Sequence, residues 1–190
     1  MNWGSVEYSG LKEFADKIRA VVDEKKVDDL AEDLMRDAAA TLLELVIPLT
    51  PTGEKADLNS VIAGATGAEA EKKTAAYERA WGGYVGGTLK RGWTAGEDRK
   101  PEEHAKTLDV EKAGTVFSIV VENIDEKALY VEEGHRQTVG RYVPAIGRRL
   151  VSPAAPGRHF LEQAEMSFQA GAGEAKMQKR FDQFMQEMFG

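Results

Sequence analysis

The chain has no cysteine among its 190 residues. This absence excludes disulfide bridges, thiolate nucleophiles and cysteine-ligated metal sites. No apolar run approaches the roughly 18 residues that a membrane-spanning helix needs, so we expect no membrane partner. The first 20 residues are charged and lack the apolar segment of a secretory signal, so we also expect no signal peptide.

An excess of basic residues is lacking as well, since the formal net charge is -7 and the isoelectric point is about 5.1. Nucleic-acid-binding proteins neutralise phosphates with a basic surface, so the bulk charge argues against that class and leaves only a local basic patch open. The hydrophobic content of 42% is typical of a folded globular protein. The length suits a single domain over residues 1–190.

Sequence signals for catalysis are few. The chain contains three histidines and no Gly-x-Ser-x-Gly sequence that would mark a serine nucleophile. Glu132, Glu133 and His135 offer metal ligands close together, but no second histidine follows one helical turn away, as a zinc-binding helix requires. We therefore expect no catalytic residue, no metal and no cofactor. The alternative from the enzyme class is a small metal-dependent hydrolase that uses these three residues.

Three segments carry apolar residues at helical spacing. The first predicts a short amphipathic helix over residues 9–22. The second, residues 27–46, predicts the main core helix, which Pro48 and Pro51 should end because a proline pushes the preceding residue out of the α region. The third predicts an additional C-terminal helix over residues 174–189, whose Met and Phe stripe suits either core packing or a partner surface.

The strand signals lie in the second half of the chain. Residues 115–121 are apolar at nearly every position, which predicts a central strand buried on both faces and paired in a hairpin with residues 108–110. Residues 88–94 predict a further strand. The order of elements predicts an α+β fold, with long N-terminal helices packed on a small antiparallel β-sheet, a C-terminal helix and a long arginine-rich loop.

Residues 53–87 differ from their surroundings because Gly, Ala, Glu and Lys dominate and large apolar residues are few. This composition, with glycines at both ends, predicts an insertion that lies outside the core. Within it, residues 68–81 predict a solvent-facing helix in which Glu69 and Lys73 pair across one turn.

The chain is organised around residues 130–136, which read Tyr-Val-Glu-Glu-Gly-His-Arg. They predict a short buried helical turn that Gly134 ends. The chain then re-enters the core at Phe160, because Phe160, Leu161 and Ala164 fall at helical spacing.

The excursion from Gly134 to Leu161 contains five arginines and no acidic residue: Arg136, Arg141, Arg148, Arg149 and Arg158. It suits three interpretations, namely a solvated loop, an arm that binds an acidic neighbouring subunit, or a nucleic-acid contact. Long loops without secondary structure are uncommon in compact domains unless they bind something, which favours the arm.

The motifs of this region resemble those of a known family. Residues 129–136 together with Pro156-Gly-Arg-His-Phe-Leu161 resemble the YVExGHR…PGRxFL signature of the phage tail-completion family, which are minor tail or neck proteins of long-tailed, non-contractile bacteriophages. Thr50-Pro51 and Gly87-Thr88-Leu89 with Trp93 are similar to the two halves of that family's TP…TGxLxxxW element, separated here by the insertion.

The resemblance implies a structural virion protein, made in the host cytoplasm, that assembles into a hexameric ring at the head-proximal end of the tail. The ring would join the tail tube or tail terminator protein to head–tail connector proteins, with genome DNA passing through the lumen without specific binding. A tail terminator or another neck ring is the alternative within the same class. We expect the subunit and partner interface to comprise Glu132, Glu133, His135, Arg136, Arg141, Arg148, Arg149 and Arg158.

Overall fold

The computed structural model describes residues 24–189, so the helix predicted over residues 9–22 lies outside the described part. The helices, in chain order, are α1 (Glu24–Leu49), α2 (Leu58–Ile62), α3 (Ala68–Trp81), α4 (Thr88–Arg91), α5 (Pro101–Ala105), α6 (Ala128–Glu132), α7 (Phe160–Ser167) and α8 (Gly173–Phe189). The strands are β1 (Val110–Ala113), β2 (Val116–Ile119), β3 (Gly134–Arg136), β4 (Tyr142–Val143), β5 (Arg148–Arg149) and β6 (Ala154–Pro156).

The strands pair antiparallel, two by two, as β1 with β2, β3 with β6 and β4 with β5. The predicted α+β class is therefore confirmed, with a long helix near the N-terminus, small antiparallel sheets and a C-terminal helix. Contacts divide the chain into two compact units. Within the described residues, we call them the terminal unit (residues 24–44, 100–121 and 166–189) and the central unit (residues 45–99 and 122–165).

The core of the terminal unit is built on small side chains of α1. Ala39 and Ala40 of α1 are buried together with Ala105 of α5. Three partly buried apolar residues pack against this cluster, namely Leu108, Ile119 and Val121. Alanine on α1 thus provides the flat surface on which the β1–β2 hairpin and α5 rest.

Helix α8 is tied to α1 by charge. The Arg180 guanidinium donates to both carboxylate oxygens of Asp37, at 2.8 and 3.2 Å, and this hydrogen bonding raises the pKa of Arg180 above its ordinary value. One turn earlier, Lys176 Nζ lies 2.8 Å from Glu44 Oε1. The Met and Phe stripe of α8 is divided, because Phe184 is half-buried whereas Phe181 is exposed.

The hairpin predicted from residues 108–121 forms, but its second strand is not central. Strand β2 pairs only with β1 among the described residues, and the side chains of Val116 and Val120 are exposed. Phe117 is half-buried, with Lys112 Nζ 5.6 Å from its ring centroid. The prediction of a strand buried on both faces is therefore wrong, because no further strand or helix of the described chain covers its outer face.

Two other boundaries differ from the predictions. Helix α1 continues through Pro48 and ends at Leu49, since a proline in the last turn removes only one backbone hydrogen bond. Residues 88–94 are wrongly predicted as a strand. They form α4, which directly follows Gly87 in the left-handed conformation, and then a single 3-10 turn over Gly92–Thr94.

The core of the central unit centres on Trp93. Its indole Nε1 donates to the hydroxyl of Thr50 at 2.8 Å, and that hydroxyl donates to the Val46 carbonyl at 2.8 Å. Phe160, the first residue of α7, meets the Trp93 ring edge to face, with centroids 6.2 Å apart. Residues from the two separated motif halves, Thr50 and Trp93, thus lie together in one buried contact.

The segment predicted as an insertion, residues 53–87, forms α2 and α3. The predicted helix over residues 68–81 is confirmed, and Lys73 Nζ lies 3.2 Å from Glu69 Oε1. Val61 and Tyr77 are nevertheless buried, and the Tyr77 hydroxyl donates to the Ala56 carbonyl at 2.7 Å. The expectation that this segment lies outside the core is wrong for Val61 and Tyr77, because single buried side chains produce no periodic pattern in the sequence.

Phe160 is buried whereas Phe117 is only half-buried, and this difference gives a stability prediction. Phe160→Ala should lower the free energy of unfolding by about 3 to 5 kcal/mol, the usual effect of truncating a buried aromatic side chain. Phe117→Ala should cost no more than about 2 kcal/mol, since that side chain is only partly buried. Urea denaturation followed by circular dichroism measures both. Equal losses would show that Phe117 lies in a fully covered core.

Candidate functional site

The turn predicted at residues 130–136 is the end of α6 followed by β3. Gly134 has a φ of +82°, in the left-handed region that favours glycine, so the prediction that it ends the turn is confirmed. Strand β3 then pairs with β6, which places Gly134 opposite Pro156. The prediction that the turn is buried is wrong, because Leu129 and Tyr130 are 64% and 59% exposed.

Gly134 and Gly157 let two backbone segments cross in very close contact. A Cβ atom on Gly134 would collide with the carbonyl oxygen of Ala155 and would lie 2.6 Å from the amide nitrogen of Gly157. A Cβ atom on Gly157 would collide with the carbonyl oxygen of Glu132. The segment that leaves the core at Gly134 and the segment that returns at Gly157 therefore lie against each other. We call residues 130–136 and 156–161 the junction.

The junction is closed by hydrogen bonds to its backbone. The amide of Arg158 donates to the Val131 carbonyl at 2.9 Å, and the amide of His159 donates to the Glu132 carbonyl at 3.1 Å. His159 has a φ of +49°, which is rare for a residue with a side chain. The backbone before α7 is therefore fixed against the end of α6.

Glu132 caps helix α7. Its carboxylate accepts hydrogen bonds from the amide of Leu161, at 3.2 and 3.1 Å to its two oxygens, and from the amide of Glu162 at 3.1 Å. Amides in the first turn of a helix have no partner within the helix, and a negative charge there also suits the helix dipole. Glu132, which we predicted at an interface, thus has a structural task inside its own chain.

The other two members of the predicted ligand set face elsewhere. Glu133 is exposed, and the His135 ring meets the Tyr130 ring edge to face, with centroids 6.0 Å apart. Within residues 24–189, no three His, Asp or Glu side chains come close enough together to hold a metal ion. The structure therefore does not bring Glu132, Glu133 and His135 together as ligands.

The segment predicted as a long loop is a hydrogen-bonded hairpin. We call residues 134–156 the arginine arm. Two backbone hydrogen bonds lie between the β3–β6 pair at its base and the β4–β5 pair near its tip. The amide of Gly140 donates to the Leu150 carbonyl at 2.8 Å, and the amide of Leu150 donates to the Arg141 carbonyl at 2.9 Å. The expectation of a loop without secondary structure is wrong, because the backbone groups of the two sides satisfy each other.

The tip of the arm is held by α2 and α3. The Trp81 indole Nε1 donates to the Ala145 carbonyl at 2.8 Å. Gly147 has a φ of +64°, and a Cβ atom there would lie 2.9 Å from the Cα atom of Val61. Residues 53–87 therefore support the arm. Sequence reasoning missed Trp81, although its position directly before a glycine cluster marks the end of a helix.

All five arginines of the excursion are exposed. The Arg149 guanidinium donates to the Gly140 carbonyl at 2.7 Å. None of the five lies within ion-pair distance of a carboxylate in the part of the chain that the structure describes. Their positive charges are thus available to a partner.

Large apolar side chains on the arm are exposed between the arginines. They are Val139, Tyr142, Ile146 and Val151, with Val139 58% and Val151 89% exposed. Arginine and aromatic residues are enriched at protein interfaces, whereas Lys, Glu and Asp are depleted there. The arm is likewise rich in arginine and free of Lys, Glu and Asp. The apolar residues that lie between its arginines were a sequence signal for an interface that our prediction did not use.

Comparison of the chain with protein-family models, with curated proteins and with solved structures finds no match. Among the described residues, no helix combines the length and the apolar character that crossing a membrane requires.

A pair of glycine variants isolates the close crossing at the junction. Gly134 and Gly140 share a φ of +82°, but nothing lies within 4 Å of a Cβ atom on Gly140. Gly140→Ala should cost about 1 kcal/mol, from backbone strain alone. Gly134→Ala should cost at least about 2 kcal/mol more, since backbone atoms must also move. Thermal unfolding compares the two variants, and similar melting temperatures would contradict the crossing.

Two neighbouring carboxylates test the helix cap. Glu132→Ala should destabilise the fold by about 1 to 2 kcal/mol, because three hydrogen bonds to α7 amides are lost. Glu133→Ala should change stability by no more than about 0.5 kcal/mol, since that side chain is exposed. Chemical denaturation of the two variants measures the difference. A Glu132 variant as stable as the Glu133 variant would show that the cap contributes nothing.

Proposed function

We propose that this chain is a structural virion protein of a tailed phage, whose copies form a hexameric ring at the head-proximal end of the tail. The ring joins the tail tube to head connector proteins and lets DNA pass. One observation carries the proposal: the arginine arm, a hairpin with exposed arginines and exposed apolar residues and no acidic residue.

The arm suits a role in assembly because it is preformed. Its base is fixed at the junction by Gly134 and Gly157, and its tip is fixed by Trp81 and Val61. A binding segment that is already ordered loses less conformational entropy on association than a loop does. Guanidinium groups pair bidentately with carboxylates, so an acidic protein surface is a suitable partner.

A second copy of the chain can supply that acidic surface, because the chain has a formal net charge of -7. An arm on one copy and an acidic face on the next are different surfaces, and contacts between different surfaces close into rings when the rotation fits. An acidic lumen would also let DNA slide through without binding.

The family resemblance supports the same proposal. Glu132, Gly134 and Gly157 of the resembling motifs each have a task at the junction, and Thr50 and Trp93 meet in the core. The short motifs therefore coincide with the positions that fix where the arm leaves the core. A tail terminator or another neck ring would use the same arm, and belongs to the same structural class.

Removing charge from the arm tests the proposal. The variant R141Q/R148Q/R149Q should stay folded and associate about 10- to 100-fold more weakly, since exposed ion pairs contribute up to about 1 kcal/mol each. The matched control K72Q/R79Q/K106Q removes the same charge from exposed positions outside the arm and should associate like the unchanged chain. Light scattering during size-exclusion chromatography gives the masses, and electron microscopy shows the rings.

Three results are distinguishable in this experiment. An unchanged chain that stays monomeric at 100-fold different concentrations contradicts the ring. A ring that forms equally well in both variants shows that the arm has no part in it. A control variant that associates as weakly as the arm variant shows an effect of net charge and not of the arm.

A further inference from the structure

We propose that the arginine arm of one copy docks on the outer face of the β1–β2 hairpin of the next copy. This inference rests on the ring proposed above. The outer face, as we define it, comprises Asp109, Glu111, Ala113, Val116, Ser118 and Val120. The proposal assigns the acceptor surface for the arm and thereby the subunit contact of the ring.

The register of the hairpin defines this face. Glu111 pairs with Ser118 and Ala113 pairs with Val116, and these four residues are exposed. Because successive side chains of a strand point to opposite faces, Phe117 and Ile119 lie on the other, half-buried face. Asp109 and Val120, which flank the paired residues, are exposed as well.

The outer face exposes large apolar side chains that a monomer has no reason to leave in water. Val116 is 64% exposed, and Val120, which is 68% exposed, also borders a groove with Ala38 and Leu42 of α1. A hairpin of two strands with one uncovered apolar face is marginal in water and gains stability when another element packs on it. The arm offers Val139, Tyr142 and Val151, which are exposed in the same way.

The charges of the two surfaces are complementary. Asp109 and Glu111 are exposed, and neither lies within ion-pair distance of a cation among the described residues. The arm presents arginines with no acidic residue between them. Both surfaces therefore combine exposed aliphatic side chains with unpaired charges, of opposite sign, which suits a specific contact.

The distribution of charge favours a second copy as the occupant. Within the described residues, the terminal unit carries 14 acidic and nine basic side chains, whereas the central unit carries 14 acidic and 13 basic ones. The arm belongs to the central unit and the outer face to the terminal unit. Association of copies thus places the basic arm on the more acidic of the two units.

Other surfaces fit the arm less well. The acidic side chains of α1 that face α8 are already paired, since Asp37 binds Arg180 and Glu44 binds Lys176. Duplex DNA would satisfy the arginines but would leave Val139 and Val151 without an apolar partner. The outer face offers carboxylates to the arginines and apolar side chains to Val139 and Val151.

The experiment uses two complementary variants of the full chain. The face variant D109K/E111K reverses the acceptor charge, and the arm variant R141Q/R148Q/R149Q removes the donor charge. The control variant E71K/E78K makes the same charge change on the exposed side of α3. Circular dichroism establishes that each variant is folded before its mass is measured.

We expect each of the two variants alone to need at least 10-fold more protein than the unchanged chain for association, whereas the control associates normally. An equimolar mixture of the two should form dimers and no rings, because one arm and one acceptor face remain intact in each mixed pair. Native mass spectrometry separates such mixed dimers by mass.

Each other outcome overturns the inference. If the face variant forms rings as readily as the unchanged chain while the arm variant does not, the acceptor lies elsewhere and the ring itself stands. If the unchanged chain is monomeric, both proposals fail. If the unchanged chain binds a 20-base-pair duplex more than 10-fold tighter than the arm variant does, measured by fluorescence anisotropy in 150 mM salt, DNA is the occupant of the arm.

Discussion

Two backbone segments of the central unit cross at Gly134 and Gly157, more closely than any residue with a Cβ atom allows. The rest of the candidate site depends on this crossing. It places the Glu132 carboxylate at the first amides of α7, and it sets the point where the arm begins and ends. Phe160, which follows directly, then reaches the ring of Trp93 in the core.

The arm is held at both ends, at its base by the junction and at its tip by Trp81 and Val61. This arrangement explains how a segment without a core of its own keeps a defined shape. Apart from the hydrogen bond of Arg149 to the Gly140 carbonyl, its arginines remain free to bind, because backbone hydrogen bonds and the Trp81 hydrogen bond at the tip fix the hairpin. Residues 53–87 are consequently part of the arm's support, although their composition resembles that of a linker.

Much of the fold was predictable where the signal is local. The apolar periodicity of residues 27–46 predicted α1, the Glu69–Lys73 pair predicted α3, and the acid-free segment with five arginines marked the candidate site. Gly134 was recognisable as the end of a turn because a positive φ there suits glycine. Each of these features involves residues within a few positions of one another, and so leaves a pattern in the chain.

The amino-acid sequence by itself thus determined the α+β class, the positions of the main helices and the location of the charged segment. Only the tertiary structure decided that residues 115–121 contain the outer strand of a two-stranded hairpin, that the predicted loop is a hairpin and that Trp81 binds its tip. The reason is distance along the chain, since Trp81 and Ala145 are 64 positions apart and Thr50 and Trp93 are 43 apart. Contacts between such residues depend on how the elements pack, and packing leaves no periodic trace in either segment alone.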